Sequence, residues 1–147
     1  MIEAVQNLID DLEKFEKLFE EVFIEAVRLN EKEIIKLNTD EQLFKKGVDS
    51  NGNKLSPPYR PKTVRIKRKK GQPFNRVTTR DTGDFHESFF LDMKKGEFEI
   101  MAGDNKTRAL LRKYGKEVLG LTDDSLQRAI EIIEEDFFNG FKNIVLG

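Results

Sequence analysis

SFFLDMKKGEFEIMAG, residues 88–103, is where apolar side chains recur with period two. Phe89, Leu91 and Met93 fall on one side of a first strand, Phe98 and Ile100 continue that side on a second, and Lys94-Lys95-Gly96 supplies the turn. The other strongly patterned segments repeat every three to four residues. One hairpin among helices predicts an α+β layout, with too few strands for a doubly wound sheet.

Immediately upstream, VTTRDTGDFHES (77–88) reads as a capped turn feeding the hairpin. Asp81 or Thr82 offers a side-chain oxygen to free backbone N–H groups, and Asp84 adds negative charge to the first turn, where the helix dipole favours it. Gly83 permits a conformation or a close approach that a Cβ would obstruct. Phe85 and Phe89, four apart, share one buried face. Downstream, Asp104 caps a helix carrying Ala109, Leu110, Leu111 and Tyr114, which Gly115 stops. Thr122 with Asp123 and Asp124 opens the last helix, whose stripe is Leu126, Ala129, Ile130, Ile133, Phe137, Phe141 and Ile144.

Towards the N-terminus, Val5, Leu8, Leu12, Phe15, Phe19, Val22, Ala26 and Leu29 alternate spacings of three and four, a heptad-like seam. Ile9, Leu18, Phe23 and Val27 widen it into a stripe suited to a domain core, with a neighbouring subunit on its flank. The phase slips after Asn30, predicting a break, and resumes with Ile34, Ile35 and Leu37. Thr39-Asp40-Glu41-Gln42 has the spacing of a capping box, opening a short helix that Gly47 ends. Between the helix and the hairpin the chain changes character. VDSNGNKLSPPYRPK holds Asn51-Gly52 and three of the four prolines, and TVRIKRKKGQPFNRV is basic and poor in helical periodicity. An extended, loop-rich arm with a short strand or helical turn in it is expected over residues 48–79. The 147 residues then form a single domain: an N-terminal helix (1–38), an extended basic arm (48–80), and the hairpin with two C-terminal helices (81–147).

Composition excludes several chemistries. With no Cys there is no disulfide or thiolate metal site, and a single His excludes multi-histidine metal centres. No run of about 18 apolar residues marks a membrane span, and the acidic start MIEAVQNLIDDLEKF lacks the basic and apolar regions of a signal peptide, so synthesis in a cytoplasm is expected. The net charge of −1 hides segregation: −7 over residues 1–44, +11 over 45–80 and −5 over 81–147.

Candidate reactive groups compete with simpler roles. Asp49, Asn51 and Asn53 resemble a calcium loop, but Gly52 stands fourth and Arg60 twelfth, where an EF-hand requires Gly at six and Glu at twelve; a tight turn is the better reading. His86 lies between Asp84, Glu87 and Ser88 without a nucleophile elbow, and reads as a surface or packing residue. Asp81 with Asp92-Met93-Lys94 weakly imitates a metal-dependent nuclease, yet a solvated strand face explains Asp92 and Lys94 better. No residue is assigned to catalysis, metal or cofactor. The arm carries more weight. Arg60, Lys62, Arg65, Lys67, Arg68, Lys69, Lys70, Arg76 and Arg80 occur with no acid among them. That density suits phosphate neutralisation, but only Tyr59 and Phe74 could stack on bases. The acidic surface of a neighbouring subunit is the favoured partner for Arg60, Lys62, Arg65, Lys67, Arg68, Lys69 and Lys70, and DNA the alternative.

Three signatures in order resemble the tailed-phage virion-morphogenesis or tail-completion proteins, related in style to head–tail joining (neck) proteins. The first is Gln42-Leu43 followed by Gly47, Asp49, Gly52 and PPYRPKT, similar to that family's G-x-D-x-x-G, Pro-rich, Thr stretch. RDTGDFHESF resembles its D-T-G-x-[LF]-x-x-S signature, and LLRKYGKEVLGLTDDSL its helix ending in an aromatic or His before Gly, then F-L-G-L-S/T and an acidic run. The likeness spans roughly residues 40–138. Tyr114 stands where members often carry His, and Val118 replaces a more usual Phe. The resemblance implies a non-enzymatic virion protein, made in the bacterial host cytoplasm and built into a ring of its own copies at the neck or tail. Portal, adaptor or tail-tube proteins would be its neighbours, with non-specific contact to packaged DNA and no membrane. Asp81, Thr82, Gly83, Phe85, Ser88, Tyr114, Gly115 and Gly120 would be structural organisers.

Overall fold

A computed structural model describes residues 2–147, apart from the side chain of Val145. The elements run α1 (Ile2–Leu29), α2 (Glu31–Lys36) leading into a π-helical run (Leu37–Lys46), α3 (Pro61–Lys69), α4 (Asp84–Glu87), β1 (Phe89–Lys94), β2 (Glu97–Ala102), α5 (Thr107–Tyr114), a 3₁₀ turn (Lys116–Val118) and α6 (Asp123–Leu146). This is the expected α+β layout: a long N-terminal helix, one two-stranded antiparallel sheet, and helices towards the C-terminus. No helix among the described residues is long and apolar enough to cross a membrane.

The hairpin pairs from Phe89 opposite Ala102 to Lys94 opposite Glu97. The loop is Lys95-Gly96 alone, since Lys94, expected in the turn, pairs with Glu97 as the last rung of the ladder; Gly96 takes φ +73°, a left-handed backbone that glycine adopts without steric cost. Leu91 opposite Ile100 is the buried cross-strand pair. On the other face Asp92 stands opposite Glu99, and Lys94 Nζ, 2.7 Å from Glu99 Oε2, offsets that like-charge pairing. The hydrogen bond and charge of Glu99 raise the Lys94 pKa.

One core draws on every part of the chain: Ala26, Val27, Ile34, Leu37 and Leu43 from the N-terminal helices, Leu55 and Val77 from the arm, Phe85, Phe89, Leu91 and Ile100 from the hairpin region, and Val118, Ala129 and Ile133 beyond it. α1 and α6 run antiparallel. Phe15 meets Phe141 edge-on with ring centroids 5.8 Å apart, and Phe19 meets Phe137 at 4.7 Å. Gly140 allows close approach there, since a Cβ on it would lie 3.1 Å from Val22 Cγ1. Only Val22, Ala26 and Val27 of α1 are buried, against the expectation that the whole seam packs on the core. Phe15 and Phe19 meet α6 and still stay 50% and 45% exposed, because one helix alone covers them, and further out length decides. α6 ends at Leu146, shortly past Phe141, so roughly the first two turns of α1, with Ile2, Val5 and Leu8, have no α6 backbone opposite them.

The break at Asn30 is present, and its side chain is why the corner holds. Asn30 Nδ2 donates to Ala26 O at 2.8 Å and to Asp136 Oδ2 at 2.7 Å, tying α1 to α6. The capping box at Thr39 is a correction. Thr39 lies inside the π-helical run and its hydroxyl donates back to Ile35 O, while Gln42 reaches across to another segment. Gly47 does end the run, at φ +63°, and a Cβ there would sit 2.9 Å from Val77 O. Asp104 acts two residues early: its carboxylate accepts from Lys106 N at 3.0 Å, and Lys106, the residue before α5, makes no side-chain cap. Thr122 caps α6 as expected, accepting from Ser125 N at 3.2 Å.

The arm also departs from expectation, because residues 61–69 are helical. Arg60 is extended and Pro61 at the first helical position presets φ. The inward stripe is Thr63, Val64 and Lys67. A stripe whose members include a Thr and a Lys carries almost no hydrophobic periodicity, which hid the helix.

Candidate functional site

The charged face of the arm is set by how α3 is anchored. Lys67 is only 7% exposed. Its ammonium donates to Arg80 O at 3.1 Å and lies 3.5 Å from Gln72 Oε1 and 5.0 Å from the centre of the Tyr59 ring. Tyr59 in turn accepts from Thr78 N at 3.0 Å, and Gln72 Nε2 donates to Asp81 O at 2.9 Å. The inner side of α3 is thus stapled to residues 78–81. Lys67, expected among the contact residues, is instead a fastening within the chain, because helical spacing places it beneath Thr63 and Val64.

Arg60, Lys62, Arg65, Arg68, Lys69 and Lys70 remain exposed. Among the described residues only Lys70 of these six has a carboxylate partner, Asp81 Oδ1 at 3.4 Å. Slight burial opposes ionisation of Asp81, but the charges and hydrogen bonds of Lys70, Lys67 and Gln72 outweigh it and lower the pKa. Arg68 stacks over Phe74, 4.5 Å from the ring centre. Arg76 and Arg80 are committed elsewhere: both guanidinium groups ride on Phe44, at 5.9 and 4.7 Å, and Arg76 Nε donates to Phe44 O at 2.8 Å. The result is a short helix with an outward cationic face and Ile66, 44% exposed, in its middle.

The Asp-Thr-Gly corner follows directly. Thr82 Oγ1 accepts from Asp84 N at 3.3 Å, and Gly83 precedes α4 at φ +95°. Phe85 and Phe89 pack at 5.0 Å. Ser88 Oγ donates to Phe85 O at 2.7 Å while its carbonyl accepts from Gly103 N, linking the turn to the end of the hairpin. Tyr114 is half-buried against the core, and Gly115 and Gly120 take φ of +98° and +136°.

His86 packs beside Phe85 and Phe89. Its Nε2 lies 3.0 Å from Thr78 O and 2.9 Å from Thr79 Oγ1, whereas buried Nδ1 has no hydrogen-bond partner. A carbonyl only accepts, so the neutral ring carries its proton on Nε2. Burial is the main cause that pushes the His86 pKa down to about 4; the Thr78 bond opposes it and Arg80 adds to it. In the 48–54 loop Asp49 Oδ1 accepts from Asn51 N and Asn53 N, at 2.9 and 3.0 Å, making the tight turn expected. Asp81 faces Lys70, and Lys94 is paired with Glu99 rather than with Asp92. Among the described residues no group of three His, Cys, Asp or Glu could hold a metal ion.

A second set of organisers escaped sequence reasoning. Asn38 Nδ2 donates to Val118 O at 3.0 Å while its Oδ1 accepts from Gly120 N at 2.9 Å. Gln42 repeats the device four residues on, donating to Gly120 O and accepting from Thr122 N, both at 2.9 Å. Two buried amides thereby pair with the irregular 118–122 segment as a neighbouring strand would. The available signal was two polar amides at i and i+4 amid Ile34, Leu37 and Leu43.

Comparison with family models, curated proteins and solved structures finds no match for this chain.

Proposed function

We propose that this chain is a non-enzymatic structural protein of a tailed-phage virion, a ring-forming tail-completion or head–tail joining component. The observation that carries the assembly part of the reading is the outward face of α3. Of its exposed cations only Lys70 has a carboxylate partner among the described residues, while the flanking parts of the chain sum to −7 and −5. Cations unmatched at home and carboxylates in excess elsewhere favour a contact in which one copy's arm meets another copy's acidic face. Two different surfaces meeting make a heterologous contact, which closes into a ring when the rotation allows. The resemblance of the Asp-Thr-Gly and Tyr114-Gly115 segments to those of tail-completion proteins is what favours the neck or tail as the ring's position.

Mass measurement by light scattering tests this at low and high salt. A closed oligomer below about 0.1 M salt that dissociates well above it is expected, since exposed charges are screened over roughly 10 Å at that strength. A monomer at every salt concentration, together with absence from purified particles, refutes the reading. Nucleic-acid binding is the second reading, favoured by the same cations. Arg65→Glu/Lys69→Glu would then abolish retention of a DNA duplex and leave assembly intact; lost assembly with unchanged retention supports the first.

A further inference from the structure

A large concavity lies away from α3. An open cleft of about 980 Å³ is bounded by β2, α1, α6 and residues 116–121. Phe19, Phe98, Leu126, Ile130 and Phe137 give it an apolar floor. Its charged lining is mostly acidic: Glu117 and Glu134 beside Lys116, and along β2 Glu97 and Glu99, of which Glu99 is already paired with Lys94. An apolar floor framed by carboxylates fits a cationic helix with an apolar side chain at its centre.

We propose that this cleft receives α3 of a second copy, with Ile66 on the floor and Arg65 and Lys69 against the carboxylates. The proposal rests on the assembly reading above and names the acidic face that the arm meets. Lys62, Arg65, Ile66 and Lys69 lie at i, i+3, i+4 and i+7, which puts the apolar residue and its flanking cations on one helix face. Ile66 and Ile130, at 44% and 40% exposed, are apolar groups that nothing in their own chain covers fully. The same chain's α3 does not line the cleft, being held at residues 78–81 through Lys67 and Gln72. The occupant is therefore another copy. The long methylene stems of Arg65 and Lys69 extend the apolar contact while their charged ends reach the rim.

Because the chain has no Cys, introduced thiols report this contact without background. The double variant Ile66→Cys/Ile130→Cys, oxidised at low salt, is expected to give a ladder of disulfide-linked multimers on a non-reducing denaturing gel. Each single variant stops at a dimer, and Ile66→Cys/Leu29→Cys, with its second thiol on a different exposed patch, gives at least tenfold less ladder. Glu97→Lys/Glu134→Lys is expected to cut the ladder about tenfold, and adding Arg65→Glu/Lys69→Glu restores it. If the wild type assembles but no ladder forms, or if charge reversal at the cleft leaves the ladder unchanged, the cleft assignment fails while the assembly reading stands. A wild type that stays monomeric and variants that never cross-link overturn both.

Discussion

Because the chain has one His, acidifying the wild type beside a His86 variant isolates that side chain, the carboxylates titrating alike in both. His86 is 8% exposed, donates through Nε2 to the Thr78 carbonyl, and presents Nδ1 to surroundings that offer no hydrogen-bond partner. A second proton would place both a charge and an unanswered donor at Nδ1. The folded-state pKa is accordingly about 4, against 6.5 for an unperturbed imidazole. Below pH 6.5 the unfolded chain therefore takes up a proton that the folded chain refuses, so stability falls as pH drops from 6.5 to 4 and is unaffected by this group below that. At about 1.4 kcal/mol per pH unit the full loss is on the order of 3 kcal/mol. Urea unfolding followed by circular dichroism at 222 nm, at pH 7.0 and 4.5, measures most of that window. His86→Gln keeps an amide donor aimed at Thr78 but cannot titrate, so its stability should change less between the two pH values than the wild type's, by about 2 kcal/mol. The lone imidazole proton resonance checks the cause directly. A midpoint near 6.5, or parallel pH dependences for wild type and His86→Gln, refutes the argument.

Other perturbations separate packing from exposure. Asn38→Leu or Gln42→Leu strands backbone groups of the 118–122 segment and should cost about 2–4 kcal/mol by urea unfolding; a loss under about 0.5 kcal/mol would show that water replaces the amides without penalty. Gly47→Ala meets both a φ of +63° and the Val77 carbonyl at 2.9 Å, so a loss of about 2 kcal/mol or more is expected from the same assay, and a neutral result would contradict that close approach. Phe137→Ala removes the ring that Phe19 and Phe141 pack against and should cost about 3 kcal/mol. Leu8→Ala, at a site 59% exposed, should stay within about 0.5 kcal/mol in the isolated chain, and equal losses at the two sites would mean that the start of α1 is packed after all.

Much of the architecture was legible because it is governed by local rules. Period-two alternation and a Lys-Gly turn specify the hairpin, and the cap at Thr122, the break at Asn30 and the stop at Gly47 each follow from one residue's chemistry within a turn of chain. The charge segregation that motivates the interface is likewise a property of composition along the chain. What escaped were cases in which a polar side chain takes a role normally filled by an apolar one. Lys67 completes the inner stripe of α3, so the helix looked like an extended arm and the lysine like a surface contact.

The sequence by itself determined the hairpin, the two long amphipathic helices with their apolar stripes, and where opposite charges are concentrated, since each is set by neighbours within a few residues. Tertiary structure alone decided which cations face outward, how far the α1 seam finds a partner in α6, and that Asn38 and Gln42 pair with backbone some 80 residues away. Those outcomes depend on which distant carbonyls, rings and amides the fold brings within hydrogen-bond or van der Waals reach. The apolar, carboxylate-framed cleft is of the same kind, because no contiguous stretch of chain contains it.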